Sequence, residues 1–150
     1  MGPSNLETLI ATIPPYWEAI PSQLTRAVGD PATAPGLALM RERSPMHQAD
    51  RIRRPLLIAQ GANDPRVKQA ESDQMVAAMQ ANGVPVSYVL FPDEGHGFVR
   101  PENSIAFNAV TEVFLARYLG GRVEPITKAE IAAETMEVLR GAEDLGVRFV

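Results

Sequence analysis

The sequence contains no cysteine, and only two histidines and one tryptophan among its 150 residues. Without cysteine there is neither a disulfide framework nor a thiolate metal site, and two histidines are too few for a usual structural zinc cage. Neither a metal nor any other cofactor is therefore expected. No apolar stretch approaches the roughly 20 residues that cross a bilayer, and the first residues lack a basic, then apolar, then small-residue leader pattern, so no membrane partner is expected. Positive charge is also scarce: the formal net charge is -4. Such a balance repels a phosphate backbone, and no strip of Lys and Arg overrides it, which argues against nucleic acid. The compartment stays open.

What is present is ordinary globular material, 45% hydrophobic and 21% charged, enough for one core. Ser4 and Glu7 have capping-box spacing, which predicts a helix from there to about Ile13, stopped by Pro14-Pro15. Residues 21–36 hold Pro21, Gly29, Pro31, Pro35 and Gly36, which reads as a loop excursion, with a short helix near Leu37 to Arg41. The run Pro55 to Gln60 is apolar and bounded by proline and Gly61, as in a strand buried on both faces. Gln69 to Asn82 has helical spacing ending at Gly83, and Val86 to Phe91 is β-branched and aromatic, hence a second strand. Phe107, Val110, Phe114 and Tyr118 form one stripe of a helix over 104–119, and Thr127 with Glu130 opens a last amphipathic helix to Arg140.

Strand, helix, strand, helix makes the two strands parallel neighbours joined by a right-handed crossover, an α/β architecture. Parallel strands end at the same edge, where open α/β sheets build their sites. The loop after the first strand contains Asp64, and the loop after the second contains His96 between Gly95 and Gly97. Strands lie about 4.8 Å apart, so the two side chains can meet. A carboxylate on Nδ1 fixes the imidazole tautomer and leaves Nε2 free to take a proton from a nucleophile. The competing readings are a turn role for Asp64 in Asn63-Asp64-Pro65 and a merely solvated His96. Placement of both after successive parallel strands favours the pair. His47 has no ligand pattern around it. Asp93-Glu94 reads as a solvated rim, and the arginines from 41 to 54 read as a charged surface.

The segments GPSNLETL at 2–9, PPYW at 14–17, RSP at 43–45, PLLIAQGANDPRV at 55–67, ESDQMVAAM at 71–79 and FPDEGHGFVRPEN at 91–103 resemble the prolyl oligopeptidase family of serine peptidases, in particular its dipeptidyl- and acylaminoacyl-peptidase-like members. The resemblance runs from Gly2 to about Ile126. It implies the C-terminal portion of an α/β-hydrolase fold with an incomplete sheet, and a C-terminal helical extension over 127–150. It further implies that Asp64 is the triad acid and His96 the triad base. Arg66 then resembles an arginine that binds a peptide carbonyl, and Trp17 lies where the family forms the pocket for the residue before the scissile bond. For Arg66 the plain alternative is a solvated surface residue, and for Trp17 core packing.

The six serines, at 4, 22, 44, 72, 87 and 104, never fall in a G-x-S-x-G context. The expected activity is therefore hydrolysis of short peptides through an acyl-enzyme whose serine this chain does not supply. An esterase of the same fold and a non-catalytic fragment are the alternative readings. An incomplete sheet also leaves a free strand edge, to be covered by the missing N-terminal half of the catalytic domain or by a second copy in a homodimer.

Overall fold

A computed structural model of the chain describes residues 1–14, 16–17, 20–125, 127 and 135–146. Its centre is the parallel pair expected from the sequence. Strand β1 (Leu56–Gly61) runs beside β2 (Val86–Phe91), with Leu56 opposite Val86 and Gly61 opposite Phe91. The crossover is helix α4 (Gln69–Ala81), and β2 is followed by α5 (Pro101–Leu119). Side chains alternate across the sheet. Leu56, Ile58, Val86 and Tyr88 pack with Met75, Val76 and Met79 of α4 on one face. Leu57, Ala59, Val89 and Phe91 pack with Ala106, Val110 and Phe114 of α5 on the other. Two apolar faces thus bury two helices, giving a layered α/β/α unit.

The C-terminal segment corrects the expectation of a helix over 127–140. Glu137–Arg140 form a third strand, β3, antiparallel to β2, in a sheet of order β1-β2-β3. Met136 and Leu145, on either side of it, are buried in the α5-side core. Residues 135–146 are therefore no helical extension; they belong to the same sheet and core. The remainder of that predicted helix, 128–134, lies outside the described residues, as do residues 147–150 of the same extension. The free edge of β2 supplies a ladder that periodicity in the segment alone cannot reveal, and the partner outweighs local propensity.

Ahead of the sheet, helix α1 (Leu6–Ala11) is shorter than expected and its cap is displaced by one residue. Asn5 accepts from the amide of Glu7, whereas Ser4 is buried with its hydroxyl donating to the carbonyl of Glu71. The amides of Ser4 and Asn5 both donate to the Glu71 carboxylate, and Glu7 pairs with Arg41 instead of reaching back. A buried carboxylate from α4 satisfies the donors that the capping box would have used. Residues 21–36 are likewise no loop: α2 (Ile20–Val28) and α3 (Ala34–Arg43) meet at a turn around Gly29. Pro21 and Pro35 both sit in the first turn of a helix, where the missing amide costs nothing, so they begin helices here. Pro101 does the same for α5. A 3-10 segment, Pro45–Arg51, leads into β1.

β1 is an edge strand, which explains why Leu56, Leu57 and Ile58 are only half buried and not sealed on both faces as expected. The amides of Leu56 and Ala62 donate toward the β2 side, to Pro85 and Phe91. By alternation, the main-chain groups of Leu57 and Ala59 face outward. The carbonyl of Ala59 indeed accepts from the Met1 ammonium at 3.1 Å on that outer edge. Among the described residues, no helix is long and apolar enough to cross a membrane.

Candidate active site

The loops that leave β1 and β2 emerge side by side and are stitched together. Ala62 donates to the Phe91 carbonyl and Asn63 to that of Glu94, while the Asn63 side chain reaches the Pro92 carbonyl at 2.8 Å. Gly61 is required at this seam: a Cβ there would lie 2.3 Å from the Gly95 carbonyl oxygen and 2.6 Å from that of Glu94, both fixed backbone.

Within the first loop, the Asp64 side chain is completely enclosed. Its Oδ1 accepts from the amides of Arg66 at 2.8 Å and Val67 at 2.9 Å, an Asx-type turn that the Asn63-Asp64-Pro65 pattern favours. Its Oδ2 faces the second loop, 2.8 Å from Nδ1 of His96. The two oxygens are thus divided, one to the turn and the other to the imidazole. Burial pushes this carboxyl up, but donors from Val67, His96 and Arg66 outweigh it and hold the group below the usual aspartate value. It is an anion at neutral pH. The His96 ring is 36% exposed, and Nδ1 makes its one hydrogen bond among the described residues, so Nε2 has no partner there. Gly97 has φ +132°, which only glycine adopts without strain, whereas Gly95 has open space around its Cβ position.

Residues beneath the loops complete the site, and sequence reasoning missed them. Gln60 is fully buried in β1; its amide donates to the carbonyls of Gly61 and Val67, and its oxygen accepts from Ser72. It closes the Asp64 loop from below. A glutamine inside an otherwise apolar strand was the available signal. Glu94 is not a solvated rim: it is 2% exposed and accepts from the amides of Val99 and Arg100 and from Asn103. Burial pushes its carboxyl up, but these donors and the Arg100 charge leave it below the usual value. Asp93 beside it is exposed, as expected, and pairs with Arg100.

Arg66 is exposed, and among the described residues its guanidinium forms no hydrogen bond or ion pair; only its amide is tied, to Asp64. Trp17 lies between α1 and α2, half buried, with its ring edge-on to Tyr16 at 6.3 Å. It makes no hydrogen bond or ring contact with the Asp64–His96 pair among the described residues. Four of the serines are engaged as donors elsewhere: Ser4 to Glu71, Ser44 to Met40, Ser72 to Gln60 and Ser104 to Phe98. Ser87 is buried in β2. His47 is exposed in the 3-10 segment.

An acid loop followed by a histidine loop, at the carboxyl edge of adjacent parallel strands with helices on both faces, is the C-terminal portion of an α/β-hydrolase fold. Solved structures agree. A puromycin-hydrolyzing peptidase of Mycobacterium tuberculosis superposes with a TM-score of 0.70 at 29% identity, over 84% of this chain and 19% of that one. An acylaminoacyl peptidase shares the fold with a TM-score of 0.68.

The sequence profile of the prolyl oligopeptidase family matches residues 17–122, and the chain belongs to that family of serine peptidases. It is 62% identical over 143 residues to dipeptidyl aminopeptidase BIII of Pseudoxanthomonas mexicana, and 49% identical over 126 residues to dipeptidyl peptidase family member 6 of Caenorhabditis elegans. These stretches are 95% and 83% of this chain but 21% and 17% of the relatives, so the chain spans about a fifth of their length.

Proposed function

We propose that this chain supplies the acid and the base of a Ser-His-Asp triad for hydrolysis of short peptides, and that the nucleophilic serine lies outside it. The observation that carries this reading is the 2.8 Å contact between the enclosed Asp64 carboxylate and Nδ1 of an exposed His96 ring. An anion at Nδ1 holds the neutral ring with its proton on Nδ1, so that Nε2 is the basic nitrogen. Nε2 takes the serine proton as the hydroxyl attacks the peptide carbonyl, then delivers it to the leaving amine; water repeats the sequence to release the acyl group. Asp64 stays ionised and stabilises the transient imidazolium. The free guanidinium of Arg66, two residues beyond the acid, presents fixed donors to a substrate carbonyl. Trp17 offers a flat apolar face for the residue before the scissile bond.

The chain is, on this reading, the C-terminal part of a catalytic domain, with Glu137–Arg140 in the same sheet, and the rest of that sheet docks on the outer edge of β1. Two features support that edge. The strand Leu56–Gly61 carries no charge or proline, whereas β3, at the opposite edge, presents exposed Glu137 and Arg140. Pairing of two copies through β1 in a homodimer is the competing occupant. The isolated chain, without a nucleophile, is then inactive.

The reading is tested by replacing the matched stretch of the Pseudoxanthomonas enzyme with this chain, which its 62% identity permits. The hybrid should hydrolyse the parent's peptide substrates, and His96→Ala should abolish turnover. Full turnover in the His96→Ala hybrid would refute the assignment.

A further inference from the structure

The loop carrying His96 is anchored at its far end by Phe98, which packs against Phe91 and Phe107 and whose carbonyl accepts from Ser104, but the histidine itself sits between two glycines. Gly95 and Gly97 flank the histidine, and a glycine on each side widens the backbone conformations open to the unfastened loop. The imidazole lies 2.8 Å from a carboxylate that is itself enclosed and bonded to its own loop. We propose that Glu94 is the positioning residue for His96, a buried clasp that closes the histidine loop and fastens it to the loop of Asp64.

Five bonds support this. From the side chain, Oε2 accepts from the Val99 amide at 3.0 Å, and Oε1 accepts from the Arg100 amide at 2.9 Å and from Asn103 Nδ2 at 2.7 Å. Residues 95–98, with His96 among them, are thereby looped between one carboxylate and the amides it binds. From the main chain, the Glu94 amide donates to the Phe91 carbonyl at the end of β2, and its own carbonyl accepts from Asn63, the neighbour of Asp64, at 2.9 Å. One residue therefore joins β2, the acid loop, the far end of the histidine loop and the start of α5. A buried carboxylate is costly unless its oxygens are well bonded, and removing it leaves several donors unsatisfied at once. Asn103, itself fully buried, is oriented by the same clasp, because its amide donates to both Asp93 and Glu94.

The inference rests on the reading of His96 as the base, and its test separates the two. The 15N shifts of the neutral imidazole of His96 report the ratio of Nδ1–H to Nε2–H tautomer in the 150-residue chain. Glu94→Gln keeps the shape but weakens the clasp. It should lower that ratio at least about threefold, with amide exchange at Val99 and Arg100 quickened about tenfold, as expected for loss of one or two hydrogen bonds. Glu71→Gln alters another buried carboxylate, on the α1 side of α4, and should leave the ratio unchanged, which a general loss of stability would not explain. Asp64→Asn should collapse the ratio. An unchanged ratio in Asp64→Asn would overturn the pairing itself; a collapse there with no change in Glu94→Gln would overturn the clasp alone. If Glu94→Gln does not fold, Asn103→Ala removes one donor and keeps the carboxylate; a fall in the ratio supports the clasp and a constant ratio refutes it.

Discussion

Asp64 divides its two oxygens between two loops: Oδ1 holds its own turn through the amides of Arg66 and Val67, and Oδ2 holds Nδ1 of His96. One side chain thus ties down its own loop and engages Nδ1 of the neighbouring imidazole.

Asp64→Asn separates these duties. An asparagine oxygen can still accept from the two amides, but its NH2 then faces Nδ1 and favours the wrong imidazole tautomer. In the hybrid peptidase we expect kcat to fall on the order of 10⁴-fold with little change in KM, measured by steady-state hydrolysis.

Gly61→Ala and Gly95→Ala should differ sharply although both glycines belong to the same seam. A Cβ on Gly61 meets two backbone oxygens within 2.6 Å, whereas the nearest atom to one on Gly95 is 3.9 Å away. Chemical denaturation should show a loss of about 3 kcal/mol for the former, as for overpacking against a rigid wall, and under about 0.5 kcal/mol for the latter.

Arg66→Ala should leave the melting temperature unchanged, because the guanidinium has no partner among the described residues. If it binds a substrate carbonyl, kcat/KM for peptides in the hybrid should fall by about 10- to 100-fold, the worth of a charge-assisted hydrogen bond.

Acid should destabilise the fold through Asp64 and Glu94. Both carboxyls are held below their ordinary values in the folded chain. Their contribution is therefore complete above the unfolded-state values near pH 4 and is lost as pH falls through the lower folded values. Melting temperatures should fall as pH drops below about 4, and the fall should be shallower in Asp64→Asn and in Glu94→Gln.

Much of this was legible in the sequence where local pattern decides. The run Pro55 to Gln60, the helical spacing Gln69 to Asn82 and the aromatic strand Val86 to Phe91 each match an element of the fold to within one residue. Their order alone placed Asp64 and His96 at one edge. What was not legible depends on partners distant in the chain. Glu137–Arg140 became a strand because β2 had an edge to offer. Glu94, Glu71 and Gln60 are polar residues whose burial follows from donors that only the fold assembles. Prolines 21 and 35 were ambiguous by nature, since the same missing amide that breaks a helix also suits its first turn.

On the proposed function, Asp64 and His96 serve a serine that lies outside this chain. Labelling with a serine-directed fluorophosphonate, read by mass spectrometry on the isolated chain and on the hybrid, tests it most directly. The isolated 150-residue chain should take no label. The hybrid should take one label, on a serine upstream of this segment, at a rate that falls on the order of 10³-fold or more in His96→Ala. Stoichiometric labelling of a serine within the isolated chain, or an unchanged rate in the His96→Ala hybrid, would contradict the proposed function.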